Sequence, residues 1–358
     1  MKFPDNKSCS TPIQRTIAGK VFFQRGLSLI ELMISITLGL LILAALSTLF
    51  VNQSKTRTEL DKSNRMIDNG RYALEVLADD LRLAGYYGEF SPSSGVPAIP
   101  ASLPNPCSTT ASDIAAALQL AVQGYNAGGA ASQIPSPPCG LTYSSGSDLT
   151  LKPGSDILVI RRASTSTPIV QGVALSGTHY IQVSLCENDT VPYRIDTNPA
   201  NFTLRTKSCT PTSTTPYADL RNFFVHVYYV SPNNNPSPAD GIPTLKRLEL
   251  DPTTHVFVVT PLVEGIEYMQ IEYGLDTSGD GIPDSYNVLP SVAEWPDAVA
   301  VNMNIVARNN ELTRGYNDTK TYSLGSAGTV GPLNDSFKRH AYTQFIRLVN
   351  PAGRREVP

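Results

Sequence analysis

The rhythm of apolar and polar positions changes three times along the chain. From Leu27 to Val51 the residues run almost wholly apolar, LSLIELMISITLGLLILAALSTLFV. Beyond Val51 the apolar residues thin to Leu60, Ile67, Leu74, Leu77, Leu81 and Ala84, which recur at helical spacing. Lys55, Arg57, Glu59, Asp61, Lys62, Arg65 and Arg71 fill the surface between them. The two patterns predict one helix over about 27–84, apolar all round in its first half and half-buried in its second. Gly70 falls within the stripe and is expected to weaken the helix there. The pattern stops at Gly85-Tyr86-Tyr87-Gly88.

Residues 91–147 carry a single charge, Asp113, among Pro, Ser, Gly and Ala, and read mostly as loop. One short helix is expected over 112–123, with Ser112 as its N-cap. The period then turns to two. Strands are predicted over 156–162, 180–185, 223–230, 244–250, 255–260, 262–275, 298–308 and 342–349. The fifth pairs with the fourth across Asp251-Pro252-Thr253-Thr254. Strands joined by turns imply an antiparallel sheet, one face of which would pack on residues 60–84. The fold class expected is α+β.

The composition sets outer bounds. The chain has 358 residues, 28 basic and 31 acidic, with 41% hydrophobic and 16% charged. That is apolar enough for a sizeable core, and the near-neutral, slightly acidic balance argues against a dedicated nucleic-acid binder. Charge is uneven, however. Lys2, Lys7, Arg15, Lys20 and Arg25 face only Asp5 in the first 26 residues. Leu27–Val51 would form a helix roughly 37 Å long, enough to cross a hydrocarbon layer of about 30 Å. The basic flank keeps the N-terminus on the cytoplasmic side. A secretory signal has a shorter apolar core followed by a small-residue cleavage site, which is not evident here. A plain anchor leaves Glu31 unexplained, since a carboxylate in hydrocarbon is costly without a partner or a function.

Gly26-Leu27-Ser28-Leu29-Ile30-Glu31-Leu32 behind a basic leader resembles the class III signal of type IV prepilins. The resemblance implies that a membrane prepilin peptidase cuts between Gly26 and Leu27 and methylates the new amine, so that Glu31 becomes the fifth mature residue. Leu27 departs from the commoner Phe, and a 26-residue leader is long for the family. In a fibre, Glu31 of one subunit would neutralise the Leu27 amine of another. An unpaired buried charge is strongly penalised, so this contact would set axial register more than affinity.

The run Asn69-Gly70-Arg71-Tyr72-Ala73-Leu74, the later Asp79-Asp80-Leu81-Arg82-Leu83-Ala84-Gly85-Tyr86 and the acidic glycine loop near 280 are similar to the PilW family of minor pilins. That resemblance implies a pilin-like fold, a long helix packed on an antiparallel β-sheet, and a protein that is not an enzyme. It divides the chain into a cleaved leader (1–26), a membrane or filament-core half-helix (27–51), an amphipathic half-helix (52–88), a loop-rich connection (89–147) and a β-rich periplasmic domain (148–358). It implies a part in initiating type IV pilus assembly and in the fibre tip. The expected partners are the prepilin peptidase, other minor pilins, the major pilin, a PilY-type tip adhesin and the bacterial inner membrane, without nucleic acid. The protein would be single-pass in that membrane and then pass into the fibre. The alternative is a J-type minor pseudopilin of type II secretion.

Cys107, Cys139, Cys186 and Cys209 all follow the apolar helix, on the side that would be periplasmic. An even four there suggests two disulfides, for which three connectivities exist. Cys107–Cys139 and Cys186–Cys209 are favoured because each closes a loop local in sequence. Asp276, Ser278, Asp280 and Asp284, with Gly281 at the sixth position, resemble the opening of a calcium loop. Ser278 at the third position and Asn287 at the twelfth depart from that pattern, and an Asp/Gly-rich hairpin turn is the competing reading. Apart from that loop no cofactor is expected. His179, His226, His255 and His340 are scattered, and His226 is expected on a sheet face rather than as a base. Asp79-Asp80 reads as a solvated helix face. No P-loop, HExxH, CxxC or GxSxG is present, which leaves a membrane-anchored hydrolase as a remote alternative.

Overall fold

The computed structural model describes residues 26–356, except 93–95, 130, 171–177, 211–216 and 253. The leader other than Gly26 therefore lies outside the described residues. The chain divides into two units, Met1–Arg57 and Thr58–Pro358. A single helix, α1 (Leu29–Leu83), contributes to both.

In the first unit the helix is exposed along nearly its whole length. Its polar side chains turn back on their own backbone: Ser35 Oγ donates to Glu31 O (2.7 Å), Thr37 Oγ1 to Met33 O (2.9 Å) and Thr48 Oγ1 to Ala45 O (2.8 Å). Such bonds let hydroxyls sit in an apolar medium without an outside partner.

The second unit contains α2 (Ala111–Ala116), β1 (Val122–Tyr125), β2 (Ile157–Ala163), β3 (Tyr180–Val183), β4 (Tyr193–Asp196), β5 (Leu220–Ser231) and β6 (Thr244–Leu250). It continues with β7 (Phe257–Glu264), β8 (Ile266–Leu275), β9 (Ser285–Asn287), β10 (Ala298–Arg308), β11 (Tyr322–Ser323), β12 (Thr329–Val330), β13 (Arg339–Arg347) and α3 (Val349–Arg355). Among the described residues the strands form three antiparallel sheets rather than the expected one. Seven strands join in the order β1-β2-β5-β3-β4, with β6 also on β5 and β7 on β6; four join as β13-β10-β8-β9; β11 pairs with β12. Apolar residues of both large sheets converge on the second half of α1. Leu77 and Leu81 share a cluster with Ile160, Tyr228, Leu245, Ile271 and Met303. The opposite face of the larger sheet is covered by the connection, whose Ile134 and Leu141 pack with Val159, Val227 and Tyr229. Burial on both faces explains why 227–230 is continuously apolar or aromatic rather than alternating.

Several expectations need correction. The short helix ends at Ala116, its N-cap position is Thr110 rather than Ser112, and 122–125 is a strand registered on Ile157–Ile160. Pairing with β2 outweighs the weak helical preference of that stretch. The strand expected over 262–275 is cut at Gly265 (φ +78°), where an added Cβ would lie 2.7 Å from Arg308 O. The last strand ends at Arg347, and α3 follows with Pro351 in its first turn, where the missing N–H costs nothing. Leu60 is exposed; Met66, Ala73, Leu74, Leu77, Ala78 and Leu81 form the buried stripe.

Candidate functional site

The helix start follows from its first residues. Gly26 to Ser28 are non-helical, and Ser28 N donates to Glu31 Oε2 at 3.4 Å, the Glu half of a capping box. The Gly26–Leu27 bond thus lies just outside the helix. Leu27 is 72% exposed, and Glu31 meets no cation among the described residues. From Leu27 to Val51 sixteen large hydrophobic side chains are exposed, and α1 is long and apolar enough to cross a membrane.

Farther along, α1 is fastened to the sheets by polar contacts that the stripe alone does not reveal. Glu59 accepts from Thr313 Oγ1 (2.8 Å) and Lys338 Nζ (3.0 Å), and Asn69 Nδ2 donates to Glu264 O (3.0 Å). Gly70 is a close approach rather than a weak point: a Cβ there would meet the Tyr342 ring at 2.3 Å, and Tyr342 Oη donates to Ile67 O (3.4 Å). Asp79 is solvated and pairs with Arg82. Asp80 is not a solvated residue. It is buried, and accepts from Arg162 Nε (2.6 Å), His226 Nδ1 (2.7 Å) and Tyr228 Oη (2.8 Å). His226 Nε2 lies 3.4 Å from Glu249 Oε2, and the other oxygen of Glu249 pairs with Arg247.

Burial opposes ionisation of Asp80, but the hydrogen bonds and charges of His226 and Arg162 hold its carboxyl well below the usual range. Burial likewise opposes protonation of His226, and the two carboxylates overcome it, raising the imidazole. Glu249 is lowered to about 2, chiefly by the His226 hydrogen bond, with burial opposing. With a carboxylate facing each ring nitrogen, His226 is placed as a cross-link between α1 and the sheet rather than as a base. Sequence reasoning placed it on a sheet face but missed its partner. The signal was present: Asp80 continues the line Ala73, Leu77, Ala84 on the helix, and His226 shares a strand face with Tyr228.

The structure joins Cys107 to Cys139 (Cα–Cα 5.3 Å) and Cys186 to Cys209 (5.1 Å). The first lies in the connection and the second spans the segment after β3. In the acidic loop the oxygens turn inward to amides. Fully buried Asp276 accepts from Gly279 N (2.6 Å), Gly281 N (2.8 Å) and Ser278 Oγ (3.2 Å); Asp284 accepts from Thr277 N and Ser278 N; Asp280 accepts from Ile282 N. Arg355 of α3 lies 3.6 Å from Asp276. Among the described residues no group of three or more His, Cys, Asp or Glu side chains is placed to hold a metal. This donor set does not fit calcium as it stands; it fits a turn that docks α3.

Residues 22–47 match the prokaryotic N-terminal methylation motif. With the exposed apolar helix that follows, the match defines a prepilin-type protein, which implies processing by a prepilin peptidase and pilin partners. Residues 227–350, from β5 to the end of β13, match the Type IV Pilus-assembly protein W family. Together the two matches, which cover less than half of the chain, support a PilW-type prepilin. No curated protein matches it. A type IV-like pilin from Thermus thermophilus is similar over 80% of this chain and 97% of its own, at 12% identity and a TM-score of 0.35.

Proposed function

We propose that this chain is a minor pilin that takes part in initiating type IV pilus assembly, entering the fibre by helix packing that Glu31 guides. The supporting observation is the segment Leu27–Val51, helical from Leu29, with sixteen exposed large apolar residues and one carboxylate, most of it within the methylation motif. Before assembly this surface is covered by the inner membrane. Afterwards it is covered by equivalent helices of the major and other minor pilins. Cleavage after Gly26 gives Leu27 a cationic amine, and Glu31 of a neighbour is the anion that offsets it. The sheet surfaces of Thr58–Pro358 select neighbouring minor pilins and a tip adhesin; the work is assembly, not catalysis. Glu31→Ala should leave the protein at normal level in the membrane and reduce pilus number and twitching motility. Unchanged piliation would contradict the proposal.

A further inference from the structure

A pocket of about 480 Å³ opens beside α3, within the size range of ligand sites. Its apolar walls include Pro296, Pro351 and Trp295. Two features set it apart from an ordinary surface hollow. Trp295 is 1% exposed, yet its Nε1 has no hydrogen-bond partner among the described residues. A buried donor without an acceptor is expensive. The ring itself is fixed edge-on by Tyr273, with centroids 4.6 Å apart. The second feature is a charge imbalance. Arg355 is neutralised by Asp276 and Asp297, whereas Arg354 is half-buried and bonds only Gly85 O (2.9 Å) among the described residues. Burial pulls the Arg354 pKa down, with Tyr87 opposing and Arg355 adding to the fall.

We propose that this pocket captures the carboxyl terminus of another protein chain that ends in an apolar residue, with Arg354 binding the carboxylate and the last side chain lying against Pro296 and Pro351, over the buried Trp295. One guanidinium without a counter-ion and one N–H without an acceptor among the described residues suit a single anionic head on an apolar body, not a polyanion. Capture of a chain terminus by converging donors is an established recognition mode. The inference concerns a partner contact and stands apart from the assembly role of Glu31.

Trp295 is the single tryptophan of the chain, so its fluorescence reports this pocket alone. The experiment titrates the full mature chain in lipid nanodiscs with the tripeptide Ala-Ala-Leu, as free acid and as amide. The free acid should give a saturable emission shift, and the amide should bind roughly tenfold more weakly. Arg354→Gln should reduce free-acid binding to the level of the amide and leave amide binding unchanged. Arg354→Lys should restore part of the difference, which separates charge recognition from misfolding. Equal titration by acid and amide, no response at millimolar peptide, or binding of octanoate as tight as that of the peptide would each overturn the proposal.

Discussion

His226 Nδ1 on β5 lies 2.7 Å from Asp80 Oδ2 on α1, and both side chains are buried. This contact joins the spine helix to the larger sheet, with Arg162 and Tyr228 completing the carboxylate shell. Losing one member of a buried, hydrogen-bonded charge cluster leaves the others uncompensated. Asp80→Ala should therefore destabilise the protein by about 3–5 kcal/mol, read as a lower denaturation midpoint, while Asp79→Ala should change it by less than about 0.5 kcal/mol.

The same cluster gives a pH dependence with a definite sign. The pKa of His226 is raised, so its contribution is complete below the unfolded value of 6.5 and is lost as pH rises through the higher folded value. The pKa of Asp80 is lowered, so its contribution is complete above 3.8 and is lost as pH falls through the lower folded value. The groups facing the pair are Arg162, Tyr228, Glu249 and Arg247. The melting temperature of the detergent-extracted protein should fall as pH rises above 6.5, and His226→Gln should flatten that fall. An unchanged slope in the variant would contradict the pairing.

Gly70→Ala offers a test of close packing. On an exposed helix surface the change would stabilise by about 1 kcal/mol. Here the new methyl group would meet the Tyr342 ring at 2.3 Å, and the ring must swing off the helix. The substitution should destabilise by about 1–2 kcal/mol, and combining it with Tyr342→Ala should give less than the sum of the two effects. Additive effects would mean that the two sites do not touch.

For the 276–284 loop, Asp276→Ala should cost more than Asp280→Ala. Asp276 is fully buried and holds two amides plus Arg355, whereas Asp280 holds one amide near solvent. Millimolar calcium should leave the melting temperature unchanged, because the inward carboxylate oxygens already serve the loop. A calcium-dependent rise lost in Asp276→Ala would show instead that the loop rearranges around the ion.

The long-period features were legible in the sequence. The uninterrupted alternation through Val299, Val301, Met303 and Ile305 marks β10 to the residue, and 27–84 departs from α1 by only a residue or two. What was not legible depends on contacts distant in sequence. β1 exists because β2 pairs with it, β4 and β9 are three or four residues long, and α3 carries Pro351 and Gly353. Leu60 fits the helical stripe but lies where the sheets leave it exposed. Asp80 looked solvated only because its neighbour Asp79 is; the depth of position 80 is set by how the sheet wraps the helix. The motif Gly26–Glu31 was readable because its chemistry is local.

The most direct measurement is the N-terminal residue of the protein extracted from membranes of cells with an active prepilin peptidase, read by mass spectrometry. The expected result is a chain beginning at Leu27 with one methyl group on its amine. A chain that still carries residues 1–26 under those conditions would contradict the account.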